Sequence, residues 1–267
     1  MDPGLRTPLL DFFRRGEVDR DIRLLAAQGA LAPRAHEQLA LLMVLIADPD
    51  ADIAGAAEAT LGAIPRGSLV SFLGRADVTP QMRTFFAERG IEPAATATRD
   101  DTPMIEVVDA SLPEPEALPD LEGLSAEEAE ARRTSVTQKI SRMSVAQRMN
   151  LAMKGSREER AILVRDPNKL VSAAVLSSPK MTETEIESIA KMGSVSEDVL
   201  RIIANTRAYV KNYNIALALV RNPKTPIAMS MNLIHRLTDS DLRQLSTNRN
   251  VPEMLRVAAR KKIVVDK

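Results

Sequence analysis

Residues whose chemistry suits catalysis or metal binding are few in this chain and lie far apart. There are two histidines, His36 and His235, and there is no cysteine. A structural zinc site needs four ligands, and a hydrolytic triad needs a nucleophile beside a histidine. Neither histidine has a second histidine at ligand spacing. We therefore predict that both are ordinary helix residues and that the chain binds no metal or cofactor.

The segment from Asp48 to Asp52 places a carboxylate at every second position, as the start of a calcium-binding EF-hand loop does. In that loop the sixth residue is a glycine and the twelfth is a glutamate that binds with both oxygens. Here those positions hold Ile53 and Ala59. Acidic residues also favour the N-terminus of a helix, where the helix dipole is positive. The pattern therefore indicates the start of a helix rather than a calcium site.

Other arrangements typical of enzymes are missing from the sequence. It contains no glycine-rich phosphate loop, no Gly-x-Ser-x-Gly elbow and no His-Glu-x-x-His segment. The neighbouring carboxylates Glu158 and Glu159, like Asp239 and Asp241, stand where helices are expected to begin, and we interpret them as helix caps. The sequence thus predicts a protein that is not an enzyme and has no small-molecule substrate.

Charge is distributed unevenly along the chain. Residues 91–130 are rich in proline and hold 12 acidic residues against one basic residue, Arg99. Residues 131–267 hold 25 basic and 12 acidic residues, and residues 1–90 are nearly balanced. The net charge of zero therefore conceals two oppositely charged segments. Such asymmetry is typical of proteins that bind other macromolecules.

The basic part of the chain contains an internal repeat. The segment 163–167, Leu-Val-Arg-Asp-Pro, recurs at 219–223 as Leu-Val-Arg-Asn-Pro. A fainter copy, Leu-Ile-Ala-Asp-Pro, stands at 45–49. Repetition of this kind is typical of supersecondary units that bury their apolar faces by stacking on one another.

The residues within each repeat predict short helices. Apolar side chains recur every three or four positions, as in the segment 208–221, which we predict to be a single helix. Thr182 and Ser196 are typical N-caps, and Glu185 completes a capping box with Thr182. Asp-Pro and Asn-Pro are expected to end one helix and start the next. Because no segment shows the alternation of a β-strand, we predict an all-α fold.

The segment 219–226, Leu-Val-Arg-Asn-Pro-Lys-Thr-Pro, and the related segment 248–252, Asn-Arg-Asn-Val-Pro, resemble bacterial HEAT-like and variant leucine-rich-repeat proteins. The resemblance covers most of 136–262 and, more weakly, 17–90. It implies an α-solenoid of stacked helices, an interaction role and no catalytic residues to carry over.

Composition and repeats together divide the chain into three parts. We predict two HEAT-like helical-repeat modules, residues 1–90 and 131–267, joined by residues 91–130 as an acidic, proline-rich disordered linker. A tether beside a basic surface is held there at high effective concentration. The linker therefore has two possible roles, an inert spacer or a mask over the basic surface until a more acidic partner competes.

Cations at equivalent positions of stacked repeats line up along one surface. Arg165 and Arg221 are equivalent, and Arg207 and Lys211 lie one helical turn apart. Such a stripe would attract an acidic protein or a phosphate backbone, although a solvated face with arginines near helix ends explains the same pattern. The candidate partner-binding residues are Arg165, Arg201, Arg207, Lys211, Arg221, Lys224, Arg243, Arg249 and Arg256.

The sequence therefore predicts a non-enzymatic adaptor or scaffold that binds a protein with an acidic surface through its basic helical-repeat domain. The alternative is a nucleic-acid-binding protein that uses the same cations on phosphates.

The expected location is the cytoplasm, without insertion into a membrane. Residues 1–6 lack the basic start and apolar run of a signal peptide. The longest uncharged apolar run, residues 39–47, is far shorter than the roughly 20 residues that span a bilayer.

Overall fold

A computed structural model of the chain describes residues 7–32, 34–96, 98, 100–105 and 126–265, with the side chains of these ranges except 126–133 and 264–265. Every regular element in the described ranges is a helix, which confirms the all-α class. None of these helices combines the length and the apolarity that a bilayer-spanning helix needs. The α-helices are Pro8–Arg14 (α1), Arg20–Ala27 (α2), Ala35–Leu45 (α3), Ala51–Ala63 (α4), Arg66–Leu73 (α5), Pro80–Ala87 (α6), Ala126–Ser141 (α7), Val145–Lys154 (α8), Arg157–Leu163 (α9), Lys169–Leu176 (α10), Glu183–Lys191 (α11), Glu197–Asn205 (α12), Arg207–Val210 (α13), Tyr213–Arg221 (α14), Ile227–Leu233 (α15), Asp239–Thr247 (α16) and Glu253–Val265 (α17), with a 3₁₀ turn at Ile234–Arg236.

The chain forms two compact units. The first comprises the described residues of 1–160 together with 174–179, and the second comprises 161–173 with the described residues of 180–267. Within the first unit α8 packs against α2. The predicted division into modules 1–90 and 131–267 stays a prediction.

The core of the first unit is built around α3. This helix packs against α1, α2 and α4, and its residues Leu39 and Leu42 are fully buried. Phe72 of α5 and Phe86 of α6 are also fully buried. Each such side chain stabilises the fold by about 1.5–3 kcal/mol relative to an exposed position.

The predicted helix starts are confirmed. Thr182 and Glu185 each bond the other's backbone N–H in a capping box at the start of α11, and the Ser196 hydroxyl accepts a hydrogen bond at the start of α12. Asp50 caps α4 by accepting a hydrogen bond from the N–H of Asp52. Each cap satisfies a backbone donor that helix geometry leaves unpaired, which stabilises the helix by about 1 kcal/mol.

The described residues of 94–105, a range that the sequence assigns to the disordered linker, lie against the helices of the first unit. The N–H of Thr98 donates to the Ser71 carbonyl at 3.1 Å, and the N–H of Ala35 donates to the Asp101 carbonyl at 2.9 Å. We call this segment the strap. The prediction of disorder does not hold for these residues, because their backbone forms hydrogen bonds with α3 and α5. The charge pattern of the sequence does not reveal these bonds.

The rest of the predicted linker divides at residue 126. Residues 106–125 lie outside the described residues, so the prediction of disorder is untested there. Residues 126–130 begin α7.

Five helices that end in the described part of the second unit do so in the same way. At each end a backbone N–H donates to the carbonyl of a buried aliphatic residue three positions earlier, at 3.0 to 3.2 Å. The pairs are Asp166 with Leu163, Met192 with Ile189, Thr206 with Ile203, Asn222 with Leu219 and Asn248 with Leu245. Where Asp or Asn occupies this position, its side-chain oxygen also accepts a hydrogen bond from the N–H two residues on. These turns explain why Asp and Asn recur in the repeat, since both favour this geometry.

Successive helices of the second unit pack against one another. α11 contacts α12 and α14, α14 contacts α15, and α17 contacts both α15 and α16. The buried residues of the unit include Ile186 in α11, Val199 in α12 and Leu242 in α16, all fully inaccessible to solvent.

The predicted single helix over 208–221 is divided into α13 and α14. The chain leaves helical geometry at Asn212, whose side chain accepts a hydrogen bond from the backbone two residues on and so starts α14. The side chain of asparagine competes in this way with the backbone hydrogen bonds of a helix. The spacing of apolar residues does not reveal such a break. The buried residues of α14 include Ile215 and Leu219, whereas Tyr213 is only half-buried.

Candidate interaction surface of the second unit

Neighbouring acids neutralise some of the cations predicted to bind a partner. Arg201 pairs with Glu197 and Asp198 on its own helix, and Arg256 pairs with Glu253. Exposed pairs of this kind contribute up to about 1 kcal/mol to stability. Their guanidinium groups therefore present little uncompensated charge to a partner.

Arg221 lies in a hydrogen-bonded cluster between α14 and α16. Its guanidinium is 2.8 Å from Asp241 Oδ1 and 2.7 Å from Gln244 Oε1. The other oxygen of Asp241 accepts hydrogen bonds from the hydroxyls of Tyr213 and Thr238. Arg221 therefore helps to attach α16 to α14 and is poorly placed to bind another molecule.

Two further predicted cations contact uncharged groups. A guanidinium nitrogen of Arg165 lies 3.4 Å from the sulfur of Met192 at the end of α11, and the ammonium group of Lys224 donates to the Val195 carbonyl at 3.2 Å. Arg165 extends toward α11 as Arg221 extends toward α16. The two arginines, equivalent in the repeat, thus contact helices that are also equivalent.

The remaining predicted cations, Arg207, Lys211, Arg243 and Arg249, are exposed and make no ion pair with any residue that the structure describes. Arg207 and Lys211 lie one turn apart, since the N–H of Lys211 donates to the Arg207 carbonyl at 3.2 Å. This confirms the spacing expected from the sequence. Charges that no acid neutralises retain their attraction for an anionic partner.

Arg236 joins Arg207 and Lys211 at α13. Its guanidinium donates to the carbonyls of Val210 and Lys211, the second at 3.2 Å. Carbonyls at the end of a helix carry partial negative charge, so they hold a guanidinium without removing its positive charge. Three cations therefore surround one short helix.

Lys262 extends this group toward α17. Its ammonium donates to the carbonyl of His235 at 2.8 Å, which places it beside the residue that precedes Arg236. We call Arg207, Lys211, Arg236 and Lys262 the α13 cluster. Within the described part of the chain, none of its four members makes an ion pair with a carboxylate.

Exposed apolar side chains lie on the helices next to the cluster. Met254 and Val257 of α17 are 63% and 37% exposed, and Ile227 of the adjoining α15 is 39% exposed. Met254, Val257 and Lys261 follow helical spacing and so share one face of α17. α17 therefore carries accessible apolar groups as well as Lys262 of the cluster.

A groove of about 340 Å³ lies between α11 and α14. Two of the residues that line it are cations, but Lys191 pairs with Glu187 and Arg221 pairs with Asp241. The groove therefore offers little uncompensated charge, and the α13 cluster is the stronger candidate.

The residues considered for metal chemistry have structural roles. Asp48 pairs with Arg23 at 2.5 Å, and Asp50 pairs with Arg20 at 2.7 Å. The hydrogen bond from Arg20 holds the pKa of Asp50 below its usual range. Among the described residues, no three potential ligands come together as a metal site would require.

Arg236 and Lys262 were not in the set predicted from the sequence. Both enter the cluster because their side chains bond to carbonyls of other elements, more than twenty residues away. The only sequence signal for them was their place in a basic segment. Arg243 and Arg249, by contrast, were predicted and are exposed, but no contact joins them to the cluster within the described residues, so we leave them outside it.

No protein-family model, no curated protein and no solved structure matches this chain. The resemblance to HEAT-like and variant leucine-rich-repeat proteins therefore stays a prediction.

Proposed function

We propose that the chain is a non-enzymatic adaptor that binds an acidic protein through the α13 cluster and the adjoining face of α17. One observation carries the proposal. Three cations lie at α13 and a fourth, Lys262, lies at the 3₁₀ turn that carries Arg236, all without a carboxylate partner in the described structure, whereas Arg201, Arg221 and Arg256 of the same unit are paired. Like charges within a Debye length of about 8 Å repel one another, so an acidic partner would stabilise them.

An acidic protein suits this surface better than a nucleic acid. A protein partner would bury the exposed side chains of Met254 and Val257, and such a mixture of apolar and arginine groups is typical of protein interfaces. The positive charge of residues 131–267 would suit either partner. Domains that bind single-stranded nucleic acids usually expose aromatic side chains, whereas this chain has two tyrosines, of which Tyr213 bonds to Asp241.

The proposed scaffold for this surface is a HEAT-like stack of helical repeats in the second unit. The five equivalent helix ends and the packing of α11 on α14 support it. Stacked repeats present extended surfaces to partners, which suits an adaptor.

Affinity capture from a lysate of the source cells tests the function, with three forms of the full chain as bait. The first is the wild type, and the second carries Arg207→Gln, Lys211→Gln and Arg236→Gln. The third is a control of equal charge loss, with Arg165→Gln, Lys191→Gln and Arg201→Gln at exposed positions outside the cluster. We expect the wild type and the control to capture proteins whose binding survives nuclease treatment. The cluster variant should not capture these proteins.

Circular dichroism and thermal melting must first show that the three forms fold alike. Equal capture by all three forms would contradict the proposed surface. Loss of the captured material on nuclease treatment would favour a nucleic acid as the partner instead.

A further inference from the structure

The strap lies on the first unit in the manner of a bound peptide. None of its described residues is buried, so its side chains contribute little to the core. It is held chiefly by hydrogen bonds to groups of α3 and α5 and to Arg75. Attachment through the main chain is also how proteins bind extended peptides.

Gln38 of α3 recognises the backbone of the strap. Its side chain is 1% exposed, and its amide nitrogen donates to the Ile105 carbonyl at 2.8 Å. Its amide oxygen accepts from the N–H groups of Met104 and Ile105 at 2.7 and 3.1 Å. The amide nitrogen has one further partner, the Gly29 carbonyl at 3.2 Å. A buried glutamine thus depends on the backbone of the strap for three of these four hydrogen bonds.

Arg75 contacts the acidic part of the strap. Its guanidinium donates to the Asp100 carbonyl at 2.9 Å and lies 3.3 Å from the Asp101 carboxylate. An ion pair with Asp77 at 2.6 Å and the ring of Phe72, 5.2 Å away, fix its orientation. A fixed guanidinium favours a peptide that carries a carboxylate at this point.

The strap spans its groove without filling it. A hollow of about 470 Å³ lies between the strap and α5, with Gly67, Ser68 and Ser71 on the side of the helix and Thr98 and Thr102 on the side of the strap. A peptide with larger apolar side chains at these positions would bury more surface than the strap does.

We propose that this groove, formed by α3, α5 and Arg75, is a recognition site for an acidic, non-helical peptide of a partner protein, and that the strap occupies it as a tethered substitute. The partner peptide would offer a carboxylate to Arg75 and consecutive backbone amides to Gln38. An empty groove would leave the buried amide of Gln38 without most of its partners, which is unfavourable. The site therefore favours exchange of one peptide for another. This inference is independent of the α13 cluster.

Fluorescence anisotropy with a labelled synthetic peptide of residues 98–105 tests the exchange. It compares the wild-type chain with a full-length variant in which residues 100–105 are replaced by glycine and serine. We expect at least tenfold tighter binding to the variant, because its own strap no longer competes. Adding Gln38→Ala to that variant should abolish binding, and a peptide with asparagine at positions 100 and 101 should bind several-fold more weakly.

A variant that keeps its helical circular dichroism and does not bind the peptide would overturn the proposal. If the variant does not fold, hydrogen exchange of the wild-type chain decides. Exchange of the Met104 and Ile105 amides that is at least tenfold faster than that of Leu42 in α3 would support a separable strap. If the amides of Met104 and Ile105 exchange at the same rate as that of Leu42, the strap separates only when the whole chain unfolds. That result would overturn the proposal.

Discussion

Asn222 at the end of α14 donates from its side-chain amide to the carbonyl of Ala190 in α11, 2.8 Å away. The same amide donates to the carbonyl of Met192 at 3.0 Å, and the residue is 5% exposed. The last carbonyls of a helix lack partners within the helix. Asn222, at the end of α14, therefore supplies a hydrogen-bond donor to the last carbonyls of α11. It thereby joins the turns that follow these two helices.

Replacement of Asn222 by alanine should lower the free energy of unfolding by about 2 kcal/mol, because two buried carbonyls lose their donor. Asn250→Ala is the control, since Asn250 is exposed in the equivalent turn after α16, and it should change stability by less than about 0.5 kcal/mol. Thermal and urea unfolding measure both effects. Equal stability of the two variants would show that the amide of Asn222 does not join the turns.

Glu37 should make the stability of the first unit depend on pH. Burial raises the pKa of this carboxyl from 4.5 to about 7, although Thr7, Arg34 and Ser177 partly offset burial and Asp101 adds to it. The folded state therefore binds a proton more tightly than the unfolded state. Stability is fully present below about pH 4.5 and is lost as the pH rises through about 7, by about 3 kcal/mol in total.

Glu37→Gln should remove this pH dependence, because glutamine resembles the protonated carboxyl and does not ionise. The measurement is the unfolding free energy between pH 4.5 and 8 for the wild type, Glu37→Gln and the exposed control Glu88→Gln. The control should keep the wild-type slope. A slope that survives in Glu37→Gln would assign the pH dependence to another group.

Gly29 should not tolerate a side chain. Its φ of +88° is unfavourable for other residues, and an added Cβ would lie 3.3 Å from Gln38 Nε2 and 3.6 Å from the Ile105 side chain. Gly29→Ala should destabilise the chain by at least about 1 kcal/mol and accelerate hydrogen exchange of the strap. The control is Gly62→Ala in α4, where no atom lies within 4 Å and a gain of about 0.5–1 kcal/mol is expected. A stable Gly29→Ala variant with a protected strap would contradict this account.

Much of the local structure could be predicted because it depends on residues close in sequence. The capping box of Thr182 and Glu185 spans three positions, and Asx turns follow from single Asp and Asn residues. The break at Asn212 uses equally local chemistry, but apolar periodicity concealed it.

The strap could not be predicted, and neither could the part of the α13 cluster beyond Arg207 and Lys211, because both depend on distant pairs. Gln38 bonds to Met104 across 66 positions, and Arg236 bonds to Lys211 across 25. Both are contacts of a side chain with a backbone group, and backbone groups carry no sequence signal. The composition shows that the segment is basic. It does not show which of the cations form ion pairs with acidic residues in the folded chain.

Deletion of residues 106–125 tests whether the acidic tract masks the basic surface. The deletion removes six acidic residues, no basic residue and none of the strap. If the tract acts as a mask, a labelled glutamate-rich peptide should bind several-fold more tightly to the deletion variant at low salt and equally at high salt, because salt screens the charges. A control of equal length with a neutral glycine and serine tract separates charge from spacing. Unchanged affinity at both salt concentrations would identify the tract as an inert spacer.

The central claim is tested most directly by titrating a labelled peptide of glutamate and leucine into the full-length chain at about physiological salt. The wild type, the variant with Arg207→Gln, Lys211→Gln and Arg236→Gln, and the control with Arg165→Gln, Lys191→Gln and Arg201→Gln are compared. We predict that the cluster variant binds at least about tenfold more weakly, equivalent to about 1.4 kcal/mol, and that the control stays within about twofold of the wild type. Equal weakening of the two variants would contradict the claim that the α13 cluster is the binding surface.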